Sequence, residues 1–355
     1  MKLLPTIPLQ AQALETATAL PAPAYSDRGW AQHEQDVIFA KDWQLVGDAA
    51  QLSEQGSHVE IDVAGVPLWL LRGNDGILRA LHNVCRHRAG PLMPCPVGNQ
   101  LRLRCRYHGW AYAEDGQLIS ATEMQSAHDF DVDSIRLPQA RVAEWNGLVF
   151  VCLGANAPAL PEVLDGIDQR MGAGRLAGYR YVRSVSYTLR CNWKAYIDNF
   201  LEGYHLPHVH PALNRLLDYR SYRTELAAWS SLQYSPLENE GALYGSGEAL
   251  YWYIWPNTML NLLPGRLQTN RVVPVAPGEC RVDFDYYYPA DSSVEAQAGD
   301  LAFSDDVQAE DIDICEQVQR GLESGSYVAG RLNPLREAGV HHFHELIRAA
   351  LRGAP

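Results

Sequence analysis

Two pairs of cysteine and histidine are the first residues in the chain whose types and spacing could do chemistry. Cys85 is followed by His87, and after 17 further residues Cys105 is followed by His108. Together they offer two thiolates and two imidazoles, which is enough to bind one metal ion or one cluster. A lone buried thiol or surface histidine needs no such explanation, but four ligand-type residues on two short segments do.

The way the ligand types divide between the two segments distinguishes the metals that could bind. Structural zinc is one interpretation, but zinc fingers pair two cysteines on one loop and two histidines on the other. Here each loop carries one cysteine and one histidine. This division favours a Rieske [2Fe–2S] centre, in which two histidines replace two cysteines on one of the irons.

A second set of polar residues interrupts a segment that is otherwise apolar and aromatic. Asp198, Glu202 and His205 would share one stripe of an α-helix, which is predicted over Trp193–Leu206. The aromatic and aliphatic neighbours suggest burial all round, and buried charges need partners or a metal. The stripe therefore indicates a second candidate metal site.

Two histidines and one carboxylate form the facial triad of non-haem Fe(II) oxygenases, which leaves coordination positions open for O2. The first histidine would be His205, and the second either His208 or His210. The carboxylate must come from farther along the chain. The candidate acids there are Asp305, Asp306, Glu310, Asp311 and Asp313.

Helical phase selects among these acids. Asp311 is four residues after Val307 and three before Ile314, so it lies on the apolar face of the predicted helix, which we expect to include Val318. Asp313 lines up instead with polar residues. An aspartate on an apolar stripe is costly unless a cation meets it, which favours Asp311. The alternative is an acid stabilised only by the dipole at a helix N-terminus.

Composition excludes several classes of function. The chain has 355 residues, 42 of them acidic and 29 basic, for a net charge of −13. This balance argues against a nucleic-acid partner, since duplex binding needs a basic surface. No run approaches the roughly 18 apolar residues of a membrane span. Seven cysteines are too few for a disulfide scaffold, which predicts a reduced, cytoplasmic protein.

Hydrophobic periodicity predicts the elements that must position these residues. Alternation over Val59–Val63, Asp-Gly turns at 75–76 and 115–116, and an apolar strand at Leu148–Leu153 predict a small all-β domain over residues 40–155. Residues 1–39 are predicted to form an arm and a helix that pack on the remaining domain, residues 156–355.

The second half of the chain has a mixed character, so we expect an α+β protein as a whole. Alternating segments predict an antiparallel sheet, and two amphipathic segments predict helices packed against it. The strands are expected at Ala249–Trp255, Leu267–Val275 and Arg281–Tyr288, and the helices at about Asp306–Leu322 and Val340–Leu351.

These motifs resemble those of the Rieske non-haem iron oxygenases, in particular their terminal oxygenase (alpha) component. Cys85-Arg86-His87-Arg88 with Cys105-Arg106-Tyr107-His108-Gly109-Trp110 is similar to the Rieske motif of that family. The family pattern carboxylate-x2-His-x4-His fits Glu202, His205 and His210, so the resemblance favours His210 over His208. It also implies Asp311 as the carboxylate ligand, and a catalytic domain of the helix-grip type beside the Rieske domain.

The resemblance further implies how the two sites would cooperate. In the family, a flavin- or ferredoxin-type reductase supplies electrons, the cluster relays them, and a mononuclear Fe(II) uses them to activate O2. A head-to-tail homotrimer brings the cluster of one subunit beside the iron of the next. Carried over to this chain, His108 of one subunit would meet Glu202 of its neighbour, and Glu202 would orient His205.

The substrate class is left open between two options. Trp255-Pro256-Asn257-Thr258 and residues 317–324 resemble the choline-monooxygenase-like branch, and glutamate at position 202 is similar to relatives that act on quaternary ammonium compounds. The resemblance therefore implies N-demethylation or C-hydroxylation of such a compound, with hydroxylation of an aromatic ring as the alternative.

Outside the oxygenases, a Rieske electron carrier or a zinc-stabilised binding protein would use the first site alone. A carrier would leave Glu202, His205, His210 and Asp311 without a role. For an oxygenase, we expect a substrate pocket between the iron helix and the sheet. Its predicted lining residues are Tyr204, Leu206, Trp229, Tyr251, Trp252, Tyr253 and Asn261.

Overall fold

The structure, a computed structural model, describes residues 8–97, 100–238 and 243–353, and the first seven residues of the predicted arm lie outside these ranges. Internal contacts divide the chain into two units. One unit is Phe39–Ala157, and the other joins Met1–Ile38 to Pro158–Pro355. The second unit is therefore discontinuous in sequence.

The N-terminal part of the second unit is helical. Its helical segments are a 3-10 turn (Leu14–Thr16), α1 (Pro23–Ser26), α2 (Arg28–Glu34) and a π-helical turn (Gln35–Phe39). Asp27 caps α2, since its carboxylate accepts two backbone N–H groups of the first turn. Glu34 is buried and accepts a hydrogen bond from Lys194 Nζ at 2.7 Å, which ties this segment to the later part of the same unit.

The unit Phe39–Ala157 is built from β-strands, as the alternation predicts. The strands are β1 (Gln44–Asp48), β2 (His58–Val63), β3 (Val66–Arg72), β4 (Leu78–His82), β5 (Leu92–Val97), β6 (Gln100–Cys105), β7 (Ala111–Ala113), β8 (Leu118–Ser120), β9 (Gln139–Trp145) and β10 (Leu148–Cys152), with 3-10 turns at Ala49–Leu52 and Val132–Ser134. One antiparallel sheet has the order β1-β10-β9-β4-β3-β2, and a second has the order β5-β6-β7-β8. The β4–β5 loop carries Cys85 and His87, whereas Cys105 ends β6 and His108 lies in the loop that follows.

The other unit is an antiparallel sheet with helices. Its elements are α3 (Leu160–Val163), α4 (Ile167–Met171), β11 (Tyr179–Leu189), α5 (Trp193–Phe200), α6 (Leu206–Val209), α7 (Pro211–Leu216), β12 (Arg223–Leu226), β13 (Ser230–Glu238), β14 (Ser246–Ile254), β15 (Thr258–Leu263), β16 (Arg266–Ala276), β17 (Glu279–Pro289), α8 (Val294–Glu323) and α9 (Ala338–Leu351). The strand order is β11-β17-β16-β15-β14-β13-β12. Every residue of β15 is buried, so both faces of the sheet centre are covered.

The long helix α8 presents a polar stripe to the interior of this unit. Its buried residues are Asp300, Ser304, Gln308, Cys315, Gln319 and Leu322. They are spaced by three, four or seven positions and so share one face of the helix. Val318, expected on the apolar face, is 46% exposed. The predicted start near Asp306 was also wrong, because the extra turns follow Ser293, whose side chain accepts the N–H of Ala296.

The single helix predicted over Trp193–Leu206 was wrong as well. The helix α5 ends at Phe200, where Leu201 leaves helical geometry. Gly203 follows, and a Cβ atom there would lie 2.7 Å from the ring of Tyr222. The chain can approach that ring closely only because residue 203 has no side chain. Within the described ranges, every helix is too short or too polar to cross a lipid bilayer.

Candidate metal centres

The two Cys–His loops close by the same hydrogen-bond pattern. The carbonyl of Cys85 accepts from the N–H of Ala89 at 2.9 Å, and the carbonyl of Cys105 accepts from Gly109 at 3.0 Å. Both fourth residues have a positive φ, 54° at Ala89 and 74° at Gly109. Two equivalent tight turns thus present two cysteines and two histidines side by side.

The two cysteines are buried, and the two histidine rings contact each other. Cys85 and Cys105 are each 3% exposed, and the rings of His87 and His108 are 4.7 Å apart between centroids. The Nδ1 atoms of both histidines are buried, and the described residues offer them no hydrogen-bond partner. Trp110 stacks on His87 at 4.7 Å. Orphaned nitrogens beside two buried thiols fit a metal cluster that takes both as ligands.

Polar groups around the sulfurs suit thiolate ligands. The hydroxyl of Tyr112 lies 3.2 Å from Sγ of Cys85, and the N–H of Tyr107 donates to Sγ of Cys105 at 3.4 Å. Hydrogen bonds of this kind tune a bound cluster. Gly90 is required at its position, since a Cβ atom there would lie 2.9 Å from Sγ of Cys105.

The second candidate centre combines His205, His210 and Asp311. One ligand atom from each of these residues lies within 4.8 Å of the others, and no other group of three such residues is found in the described part of the chain. His205 precedes α6, His210 lies between α6 and α7, and Asp311 is in the middle of α8. The donor set fits a facial triad with open coordination positions.

Two carboxylates accept hydrogen bonds from the Nδ1 atoms of the histidines and so fix the orientation of the rings. His205 Nδ1 donates to Glu202 Oε1 at 2.7 Å, and His210 Nδ1 donates to Glu310 Oε2 at 2.7 Å. Each Nε2 is then left for a metal, which is the usual arrangement for metal-binding histidines. Nε2 of His210 lies 3.0 Å from Oδ1 of Asp311. Burial alone would lower the pKa of His210, but Asp311 and Glu310 outweigh it and raise the pKa.

The predicted stripe of Asp198, Glu202 and His205 does not exist, because α5 ends before Glu202. Glu202 instead folds back over its own turn and accepts the backbone N–H groups of Tyr204 and His205. Asp198 points elsewhere and accepts from Tyr25 Oη at 2.6 Å and His344 Nε2 at 2.9 Å. Its charge is therefore compensated by protein groups.

The other acids and the other histidine lie outside the group of three. His208 is exposed. Asp305 accepts from Tyr187 Oη at 2.8 Å, and Asp313 is exposed and bonded to Gln317. Glu310 contacts His210 through Nδ1, as described, and does not belong to the group.

A cavity of about 110 Å³ opens beside the three residues, between the helices and the sheet. Of the predicted lining residues, Leu206, Tyr251 and Asn261 line it, whereas Tyr204, Trp229, Trp252 and Tyr253 do not. The prediction missed several polar and aromatic residues. These are Tyr222, Gln233, Tyr244, Arg266, Gln268, Asn270 and Gln308. For Arg266, Gln268 and Asn270, alternation along β16 indicates that the three share one face, but not that this face meets the cavity.

Known protein families match both units. The Rieske [2Fe-2S] domain matches residues 42–138, and the catalytic domain of the ring hydroxylating alpha subunit matches residues 176–353. Choline monooxygenase from Arabidopsis thaliana is 35% identical over 357 residues, covering 96% of this chain and 84% of that protein. The carnitine monooxygenase oxygenase subunit of Escherichia coli K12 is 29% identical over 350 residues, covering 94% of each chain.

Solved structures agree with these matches. A quaternary ammonium Rieske monooxygenase in complex with L-carnitine is similar with a TM-score of 0.83 and 25% identity, covering 96% of this chain and 99% of that chain. Naphthalene 1,2-dioxygenase with bound indole has the same fold, with a TM-score of 0.76 and 18% identity, covering 96% and 94%.

Proposed function

The chain belongs to the Rieske non-haem iron oxygenases as their terminal oxygenase (alpha) component, and from that premise we propose its ligand residues, its substrate class and its assembly. Membership makes the protein an oxygen-incorporating oxidoreductase that receives electrons from a separate reductase. Its cofactors are a Rieske [2Fe–2S] cluster and a mononuclear iron, and O2 is a co-substrate. When bound, the cluster passes single electrons and the iron activates O2.

We assign the cluster to Cys85, His87, Cys105 and His108, within a domain of residues 40–155. The orphaned imidazole nitrogens and the buried thiols support this assignment. The alternative of an electron carrier, which needs this domain alone, does not account for residues 176–353, which match the catalytic family.

We assign the iron to His205, His210 and Asp311, within residues 156–355 and with residues 1–39 packed on that part. The convergence of these three side chains at one end of a cavity carries the proposal. Glu202 and Glu310 hold the Nδ1–H groups of the two histidines, so each ring keeps one tautomer and one orientation.

The substrate class that we propose is a quaternary ammonium compound, oxidised by N-demethylation or C-hydroxylation. The similar proteins named for choline and carnitine support it. Aromatic rings line the cavity, among them Tyr222, Tyr244, Tyr251 and Phe303. Ring faces attract an alkylated ammonium group, which cannot donate hydrogen bonds and is recognised in this way.

For the assembly we propose a head-to-tail homotrimer in the cytoplasm, served by a flavin- or ferredoxin-type reductase. In it, His108 of one subunit approaches Glu202 of the next. Glu202 is suited to that role because its side chain is 12% exposed while it also holds His205. It can then offer one carboxylate to imidazoles on both sides.

A panel of substrates tests the function. The holoenzyme with a surrogate reductase is given choline, L-carnitine, γ-butyrobetaine, benzoate and naphthalene, while O2 uptake and hydroxylated products are measured. We expect coupled oxidation of one or more quaternary ammonium compounds and about three irons per chain. Coupled oxidation of only the aromatic compounds would contradict the substrate class.

A further inference from the structure

Arg266 is the one lysine or arginine among the described residues that line the cavity. It is the first residue of β16 and is 5% exposed. Gln268 and Asn270 line the same cavity, because alternate residues of a strand share a face. A buried cation in the cavity of an enzyme for ammonium compounds requires an explanation.

The guanidinium of Arg266 is held by one carboxylate, but not all of its N–H groups have an acceptor. Its Nη1 donates to Oδ1 of Asp300 at 3.2 Å, and Asp300 also accepts from Tyr244 Oη at 2.6 Å and Tyr288 Oη at 2.5 Å. No other acceptor for Arg266 is found among the described residues, and its Nε is buried without a partner. A guanidinium has five N–H groups, and a buried N–H without a partner is costly.

The position of Arg266 relative to the iron ligands gives the cavity two different ends. Asp300 and Asp311 both lie on α8, eleven positions apart, which corresponds to a rise of roughly 16 Å along the helix axis. One end therefore carries the carboxylates Asp311 and Glu202, and the other carries the guanidinium. The aromatic residues Tyr222, Tyr251 and Phe303 also line the cavity.

We propose that Arg266 binds the carboxylate of a zwitterionic trimethylammonium substrate and directs its N-methyl end toward Asp311. The proposal rests on the proposed function and refines it. A carboxylate supplies acceptors for the unpaired N–H groups in the paired geometry that arginine favours. The carboxylates Asp311 and Glu202 attract the ammonium group, whereas Asp300 already compensates the charge of the guanidinium. Oxidation is then expected on or next to the nitrogen, away from the carboxylate.

Binding to the unaltered holoenzyme is the first test, and it uses a matched pair of ligands. γ-Butyrobetaine and its methyl ester share the trimethylammonium group, and only the acid carries the negative charge. We expect calorimetry to give a Kd about 10- to 100-fold lower for the acid. Equal or tighter binding of the ester, or of choline, would overturn the role of Arg266 and leave the quaternary ammonium class standing. Binding of none of the three would overturn both.

Substitution is the second test. Arg266→Gln alone would leave Asp300 as an uncompensated buried charge, so the pair Arg266→Gln with Asp300→Asn is made together. We expect the acid-to-ester ratio of Kd values to fall to within about threefold of unity, whereas Arg266→Lys keeps part of it because the charge remains without the planar fork. An unchanged ratio in the double variant would overturn the proposal.

The matched control is Arg271→Gln. Arg271 lies on β16 too, but five residues on and therefore on the opposite face, where it contacts Asp283 at 3.0 Å. We expect the acid-to-ester ratio of this variant to equal that of the unaltered protein. Visible absorption and circular dichroism establish that each variant is folded and carries the cluster, and a ratio that falls equally in Arg271→Gln would overturn the assignment to Arg266.

Discussion

The two metal centres are built on opposite plans. All candidate ligands of the cluster lie between residues 85 and 108, on two loops that close by the same backbone hydrogen bonds. The candidate iron ligands His210 and Asp311 are 101 residues apart, since His210 lies between α6 and α7 whereas Asp311 is in the middle of α8. The first centre is therefore set by local turns, and the second by the packing of α8 against the rest of its unit.

The chemical surroundings differ in the same way. Exposed arginines, Arg86, Arg88 and Arg106, flank the cluster loops, whereas carboxylates stand behind both histidines of the iron site. The cluster site is formed by local turns and so depends little on the rest of the chain. The iron site is assembled from distant segments, and such segments can enclose a cavity in which a substrate binds.

The strongest way to separate the two centres is to remove one ligand from each. We expect His210→Ala to lower activity by at least ~10³-fold and to lower the iron content from about three to about two per chain. The visible spectrum of the cluster should stay. Cys105→Ser should do the reverse, losing the colour and keeping a mononuclear site. Iron analysis and absorption measure both, and loss of both centres in either variant would contradict their independence.

The proposed link between the centres depends on the charge of Glu202. In Glu202→Gln the amide oxygen can still accept from His205 Nδ1, so we expect both metals to remain bound. Turnover should fall about 100-fold, because the negative charge that would join the two imidazoles is lost. Single-turnover oxidation with a chemically reduced cluster measures it. Normal coupled turnover with full metal content would remove the bridging role.

Two glycines sharpen the comparison, one at each centre. Gly90→Ala would place a methyl group 2.9 Å from Sγ of Cys105, and Gly203→Ala would place one 2.7 Å from the ring of Tyr222. We expect the first variant to lower cluster content several-fold without affecting the mononuclear iron. The second should displace the turn that carries Glu202 and His205, lowering kcat by about tenfold with normal cluster content. Equal effects of both variants on both metals would contradict this division.

The smallest expected effect is on the acid stability of the two units. Burial, with a lesser contribution from Arg86, lowers the pKa of His82 in the first unit. Burial, with a lesser contribution from His341, lowers the pKa of His342 in the second. Below pH 6.5, the ordinary pKa of histidine, these two side chains take up protons in the unfolded chain more readily than in the folded chain. Their contribution to folding stability therefore falls as the pH falls below 6.5 and is constant above it.

We expect the Tm for unfolding of each unit to fall by roughly 2–4 °C between pH 7.5 and pH 5.5. Calorimetry of the metal-loaded protein measures it. His82→Gln should flatten the pH dependence of one transition, and His342→Gln that of the other. If neither variant changes its transition, other groups are responsible for the acid sensitivity.

The sequence predicted what is local and missed what is set by tertiary packing. Alternation correctly indicated the all-β module and the antiparallel sheet, since a period of two marks a half-buried strand. Helical phase selected Asp311, which does contact His210, although the face that carries it is largely polar and not the apolar one that was predicted. The break in α5 was missed, because only the ring of Tyr222 reveals why residue 203 has to lack a side chain.

The role of Arg266 in the cavity could not be predicted from the sequence either. Its strand was predicted to start at Leu267, and nothing in the alternation says which face meets a cavity rather than a neighbouring helix. The contact between Arg266 and Asp300 joins residues 34 positions apart. A pattern that extends over a few residues along the chain does not contain such a pairing.

The buried ion pair between Glu34 and Lys194 has a consequence for synthesis of the chain on the ribosome. The two residues are 160 positions apart, and at about 5–20 residues per second the second emerges roughly 8 to 30 s after the first. All four candidate cluster ligands lie between these two positions, so they are synthesised before Lys194. The unit Phe39–Ala157 can therefore fold before Lys194 has been synthesised. Until then the amino-terminal helices remain exposed to solvent, because the rest of their own unit has not yet been made.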